Sequence, residues 1–417
     1  MPPDRDATAE AAKRAVATVF GINGFLFASW MSRLPAVRDQ LHLTPGGLGL
    51  LLLCVSIGSV STLPLSGVAI HRLGRRRATL GASSLMAGSL AVAGSVPATG
   101  VLAVALVLVG VGTAIWDVAA NVEGADVEQR LGRPLMPRLH AGFSLGTVLG
   151  AALGAGAAAL QVPVELHVPV ASLAGMAAAA RAVRRFVPEP AVPEPEVTPS
   201  ATGVPVAAPK RSSGSLDAWR EPRTLVIGLL VLGMAFAEGS ANDWLTVALV
   251  DGYGIDHALA ALGLGLFVTA MTAARTAGSW VLARYGRVRA VRGGALLVAA
   301  GVAAVVAGPL LQRVAGDAAA LALAALGALA WGAGAALGFP VGMSAAADDP
   351  RHAAARVSVA STIGYVAFLG GPPVLGLLGD RFGIVRALAA VEGAVLVSLL
   401  AAGALRPPGT RHPDGER

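Results

Sequence analysis

Apolar positions in this chain fall in long runs, not in the alternating or 3.6-residue stripes of a water-soluble fold. A helix rises 1.5 Å per residue, so about 20 mostly apolar residues cross the hydrocarbon of a bilayer. Against that length the sequence predicts twelve membrane helices. Six lie near 15–32, 47–70, 78–96, 101–122, 139–160 and 164–183. Six more lie near 224–249, 258–282, 290–311, 318–344, 356–378 and 384–405. The first run follows Lys13 and Arg14, as the core of a signal peptide would. It is too long for such a core, has no small-residue cleavage site and precedes many more spans, so it is expected to stay as the first helix.

Composition agrees with the pattern. The chain is 55% hydrophobic and 14% charged, where soluble domains carry about 25% charged residues. The expected class is an all-α polytopic membrane protein. A net charge of +7 raises the question of nucleic acid. The basic residues sit in short loops between apolar runs, however, and aromatics make up only 5% of the chain. No contiguous basic-aromatic face is expected, and a nucleic-acid partner is not. The single cysteine, Cys54, lies inside an apolar run and reads as a small buried hydrophobe, which leaves no disulfide framework. No metal-ligand cluster, nucleophile motif or phosphate loop is visible, so neither enzyme activity nor a cofactor or metal is expected.

The basic residues also orient the chain. Of its 32 Lys and Arg, only Arg33, Arg38, Arg313, Arg381 and Arg386 fall on one side, and Arg275 lies inside a span. The rest share the side of the termini, which places both termini in the cytoplasm of a bacterium, across its inner membrane. Between the sixth and seventh spans, Pro188 to Pro209 runs into Lys210 and Arg211 without apolar periodicity, as a disordered linker does. The expected organisation is therefore a tail at 1–14, a six-helix bundle at 15–186, a linker at 187–222, a second bundle at 223–405 and a tail at 406–417.

The two bundles repeat each other. Arg72-Leu73-Gly74-Arg75 closes the second span and Arg284-Tyr285-Gly286-Arg287 the eighth. Arg138 and Gly146 open the fifth span with the spacing of Arg356 and Gly364 in the eleventh. Two pseudo-symmetric six-helix bundles joined by a linker are the organisation of a rocking transporter.

With these residues in view, the chain resembles the major facilitator superfamily. The loop from Gly67 through His71 and Arg72 to Arg77 is similar to that superfamily's loop-2/3 signature, with a degenerate copy at Arg284 to Arg287. Asp117-Val-Ala-Ala-Asn121, followed by Arg138-Leu-His-Ala-Gly-Phe-Ser144, resembles the branch of the fucose:proton symporter and its YbjJ-type bacterial relatives. The likeness implies alternating access on a small polar solute, a sugar or related metabolite moved with protons, by a monomer in the lipid bilayer. His71 stands where the signature has aspartate, and Asn23 where the fucose symporter has a second membrane carboxylate. The likeness therefore does not make fucose the solute. A proton-driven exporter of drugs or metabolites is the alternative, although the fifth span lacks the drug antiporters' glycine-proline signature. A non-transporting membrane sensor is the rival from another class.

A carboxylate in hydrocarbon costs roughly 2.5–3.5 kcal/mol at a helix centre, so it usually faces a cavity or a partner. Asp117 and Asn121 share a face of the fourth span, and Glu238 and Asn242 share one of the seventh. Asp117 reads either as a proton- or substrate-binding carboxylate or as a structural partner of Arg275. Glu238 competes with it for the coupling role, and Asp243 reads as a site residue or as a solvated rim, with Trp244 approaching the outer interface. The resemblance implies that the first, fourth, seventh and tenth spans line the cavity, which brings in Asn23. Trp331 and Phe339 on the tenth span read as core packing, or else as an apolar or stacking wall of the cavity. Arg72, Arg75, Arg284, Glu123, Asp126 and Glu128 are expected to form a cytoplasmic gate whose ion pairs re-form as the halves rock, or else a solvated charged rim. Gly142, Gly146, Gly150 and Gly154 form a ladder for close helix packing, expected at the interface between halves. His140 reads as a structural histidine.

Overall fold

Backbone groups in hydrocarbon find hydrogen-bond partners only within a helix or a closed barrel, and the described part of this chain uses helices. The computed structural model describes residues 5–95, 98–132, 135–187, 217–349 and 352–407, and every regular element among them is helical. The expected linker from Pro188 to Pro209, with Lys210 and Arg211, and the ends of both tails lie outside these residues. The first half comprises α1 (Arg5–Met31), α2 (Leu34–Gln40), α3 (Pro45–Leu73), α4 (Arg75–Ser95), α5 (Thr99–Leu131), α6 (Met136–Ala159) and α7 (Val164–Val183). The second comprises α8 (Pro222–Tyr253), α9 (His257–Thr276), α10 (Gly278–Ala315), α11 (Asp317–Ala335), α12 (Gly338–Ala346), α13 (Ala353–Phe382), α14 (Ile384–Ala387) and α15 (Ala390–Ala401). A 3₁₀ turn, Ala402–Leu405, follows.

Ten stretches are long and apolar enough to cross a membrane, or eleven when α1 and α2, bent by 42°, count as one span. The remaining one of the twelve expected, the third, is helix α4. Its 21 residues reach about 30 Å, but Thr79, Ser83 and Ser89 lower its hydropathy. All three are buried, because α4 packs against α5 and α7. Two of the hydroxyls bond within the helix, Thr79 to the Arg75 carbonyl at 2.8 Å and Ser83 to the Leu80 carbonyl at 3.0 Å. A helix sheltered this way does not need a fully apolar sequence.

The internal repeat has a backbone counterpart. Gly74 (φ 78°, ψ 154°) turns the chain from α3 into α4, and Gly286 (φ 74°, ψ 165°) makes the same turn inside α10. An L side chain is strained in that region, so both copies of the Arg-x-Gly-Arg motif need glycine there.

Packing corrects one expectation. The ladder Gly142 to Gly154 does not lie between the halves; it faces α1 within the first half. A Cβ on Gly146 would run into the Gly21 carbonyl and one on Gly150 into the Phe25 carbonyl, with Ser32 over Gly154. The halves instead meet where α3 packs on α13 and α6 on α9. On that first contact Gly49 and Gly376 lie against the backbones of Pro372 and Pro45, and Ser56 donates to the Phe368 carbonyl at 2.7 Å.

Polar ties between the halves gather at the face opposite the chain termini. There Arg38 on α2 pairs with Asp251 on α8, His257 on α9 meets Asp39 at 3.0 Å, and Asp380 accepts from the Gly46 N–H at 2.9 Å. At the termini face, every ion pair between described residues stays within one half. Arg75 reaches Glu123 at 3.2 Å and Asp126 at 3.0 Å. In the second half Asp348 takes both Arg223 at 2.7 Å and Arg287 at 2.6 Å, and Arg356 takes Glu221 at 2.6 Å. Among the described residues, the ion pairs that join the halves all lie at the face opposite the termini.

Candidate functional site

Asp117 and Asn121 lie one turn apart in the middle of α5, far from either helix end. The Asn121 amide donates to the Asp117 main-chain oxygen at 2.8 Å and to its carboxylate Oδ1 at 3.1 Å. Asp117 is nevertheless exposed, and it has no ion pair among the described residues. Its electrostatic neighbours come from both halves. His140 on α6 lies within reach of Asp117 and of Arg275 on α9, and Tyr365 on α13 lies within reach of Asp117. His140 and Tyr365 are also exposed. The side chains coupled electrostatically to Asp117 thus come from α6 in the first half and α13 in the second.

Arg275 departs from the reading that paired it with Asp117. Its Nη2 donates to both carboxylate oxygens of Glu238 at 2.9 Å, and its Nε donates to the Ala336 carbonyl at 3.2 Å. Ala336 sits in the break between α11 and α12, where helical bonding is interrupted. A planar guanidinium can serve two directions at once. Arg275 thus ties the seventh, eighth and tenth spans of one half together, and Asp117 is left with a neutral amide. The reading of Arg275 as a structural partner of Asp117 is corrected to a pair with Glu238.

The other expected residues divide. Asn23 is 7% exposed. Asn242 and Asp243 are half-buried. None of the three makes a side-chain hydrogen bond among the described residues, and nothing draws them to the Asp117 group. Trp244 is not an interfacial anchor, because α8 runs on to Tyr253 and the indole is fully buried. Trp331 is core as expected, with no exposed surface and its Nε1 donating to the Ala237 carbonyl at 3.0 Å, edge-on to Phe267.

At the termini face the expected gate residues sort by what they touch. Glu123, fully buried, accepts from the Val187 N–H at 2.8 Å as well as pairing with Arg75, and so joins the ends of α5 and α7. Glu128 makes no ion pair among the described residues. It accepts the backbone N–H groups of Leu135 and Met136, capping the start of α6. Arg72 is exposed, and Arg284 lies over the Tyr285 ring at 5.6 Å. The residue that bonds acid in the second copy of the motif is Arg287. Burial alone would push the Asp348 carboxyl up, but the hydrogen bonds from Arg287 and Arg223 outweigh it and hold the group below its usual range. The Arg356 hydrogen bond does the same for Glu221.

Sequence reasoning passed over Tyr365 and set His140 aside. The available signals were a tyrosine, one of three in the chain, inside a glycine-rich apolar span, and a histidine two residues into the Arg138 repeat. Among the described residues no group of three or more His, Cys, Asp or Glu could hold a metal.

Known proteins agree with this architecture. The family model of the Major Facilitator Superfamily matches residues 16–372. An uncharacterized transporter of Sinorhizobium fredii is 30% identical, over 92% of this chain and 97% of its own. An uncharacterized transporter of the same superfamily type from Yersinia pestis is 29% identical, over 91% of each chain. The membrane protein MosC of Rhizobium meliloti is 25% identical, over 90% of this chain and 85% of its own. Among solved structures, the nucleoside transporter NupG superposes with a TM-score of 0.70 at 14% identity, covering 94% of this chain and 98% of that one. A bacterial homologue of the lysosomal transporter Spinster also reaches 0.70 at 14% identity, covering 97% and 98%. The chain belongs to the major facilitator superfamily and is a multi-pass membrane transporter of that type.

Proposed function

We propose that this transporter moves a small polar solute together with protons by alternating access, and that Asp117 is the group that carries the proton. One observation carries the reading: Asp117 is an accessible carboxylate far from either end of its helix whose side chain is held by an amide and, among the described residues, by no ion pair. A carboxylate so placed can lose and regain a proton without first breaking an ion pair. Arg275, the cation that would have locked it ionised, is engaged by Glu238. Asn121, His140 and Tyr365 supply donors and acceptors around the same space, which suits a hydroxyl-bearing solute. A sugar or related metabolite fits both the fucose-symporter likeness and the polar solute named for the nucleoside transporter of like fold. The Lys and Arg bias supports a cytoplasmic termini face, and the inner membrane of a bacterium is the proposed location. The chain is proposed to work as a monomer of two bundles, with no enzymatic step.

The test is uptake by proteoliposomes of the purified chain across a panel of sugars and metabolites, with a pH-sensitive dye inside. Solute entry with acidification is expected, and Asp117→Asn should abolish the acidification while leaving the protein folded. Solute entry without proton movement, or full coupling in Asp117→Asn, would overturn the proposal.

A further inference from the structure

A second cavity, of about 490 Å³, opens at the face opposite the termini, where α3, α8, α10, α13 and α14 converge. Its wall includes two guanidinium groups, Arg313 at the end of α10 and Arg386 on α14. Both are exposed, and neither has an ion pair or side-chain hydrogen bond among the described residues. These are two of the few arginines on the side where the chain otherwise carries little positive charge. The cavity also contains one carboxylate, Asp251, which is already occupied by Arg38. The unbalanced charge at this opening is therefore positive.

The rest of the wall is apolar and continues outward. Leu310 lines the cavity and is 63% exposed, Phe382 lines it and is 51% exposed, and Val314 beside them is 88% exposed. In a membrane protein such side chains face acyl chains. A free anion would satisfy the arginines and leave this strip unused. A phospholipid matches both parts, with its phosphate at Arg313 and Arg386 and its chains along Leu310 and Phe382.

We propose that an anionic phospholipid of the leaflet opposite the termini binds in this cavity, its phosphate held by Arg313 and Arg386. The site is separate from the Asp117 group and does not depend on the solute or on proton coupling. Pro45 from the first half forms one side and the second half forms the rest, so the lipid lies on the seam beside the Arg38–Asp251 tie.

The test is native mass spectrometry of the full chain, purified in mild detergent, stripped of lipid and titrated with phosphatidylglycerol or with phosphatidylcholine of the same acyl chains. One phosphatidylglycerol should be retained in preference to phosphatidylcholine. Arg313→Gln with Arg386→Gln should weaken that retention about twenty-five-fold, from roughly fivefold for each arginine near a charged headgroup. Arg381→Gln, on the same face but outside the lining, should keep it. Equal retention of both lipids by the unmodified chain would overturn the proposal, and this comparison decides the matter even if the double variant does not fold. Loss of equal size in Arg381→Gln, or displacement of the lipid by millimolar inorganic phosphate, would also overturn it.

Discussion

Removing the Arg275 side chain tests how the second half is held together. In Arg275→Met, Glu238 loses its donor and the Ala336 carbonyl at the break in the tenth span loses another. A hydrogen bond to a charged group contributes about 1.5–3 kcal/mol. Here 31% of the arginine and 18% of the glutamate side chain remain exposed, so screening brings the pair to about 1–2 kcal/mol. The bond to Ala336 adds about 1 kcal/mol, and Arg275→Met should cost about 2–3 kcal/mol in all. Glu238→Gln, which keeps a neutral acceptor, should cost about 1 kcal/mol. If the two act as a pair, the double variant should be less damaged than the sum of the singles by about 1 kcal/mol. Arg275→Lys keeps the charge but has no fork to serve two directions, so it should fall between wild type and Arg275→Met. The assay is the thermal midpoint of the purified chain followed by tryptophan fluorescence. Unfolding entropy scales with length, and for 417 residues about 1 °C corresponds to 1 kcal/mol. Strict additivity of the two single shifts would refute the pairing. An Arg275→Lys midpoint equal to wild type would refute the role given to Ala336.

Other expectations follow from single positions. Gly146→Ala puts a methyl against the Gly21 carbonyl and should destabilise by about 1–3 kcal/mol; Gly156→Ala, with open space around it, should be neutral or slightly stabilising on the same melting curve. Gly286→Ala, at φ 74°, should lower the midpoint by about 1–2 °C through backbone strain of about 1–2 kcal/mol. Glu221 and Asp348 have folded-state values below their ordinary 4.5 and 3.8. The stability they contribute is therefore complete above about pH 5 and lost as the pH falls through the folded values. The midpoint of the wild type should drop between pH 5 and 3, and a variant carrying Glu221→Gln and Asp348→Asn should drop less over that interval.

Much of this protein is determined by sequence, because a bilayer allows few alternatives. A long apolar run must become a helix, since its backbone has no water to bond. Arg-Leu-Gly-Arg and Arg-Tyr-Gly-Arg mark the same turn twice, since only glycine is at ease at the φ values of Gly74 and Gly286. The pairing of Asp117 with Asn121 was legible for the same reason: both lie on one helix, four residues apart, and helical geometry alone makes them meet. Contacts between different helices were not legible. Arg275 could have faced Asp117 or Glu238, and the choice depends on how the eighth span is rotated against the seventh and on a broken tenth span that offers a free carbonyl. The glycine ladder announced a close approach but not its partner, because a smooth face fits any small-residue neighbour. His140 and Tyr365 each sit in an unremarkable local sequence, and only the packing of α6 and α13 brings them into electrostatic range of the carboxylate of α5.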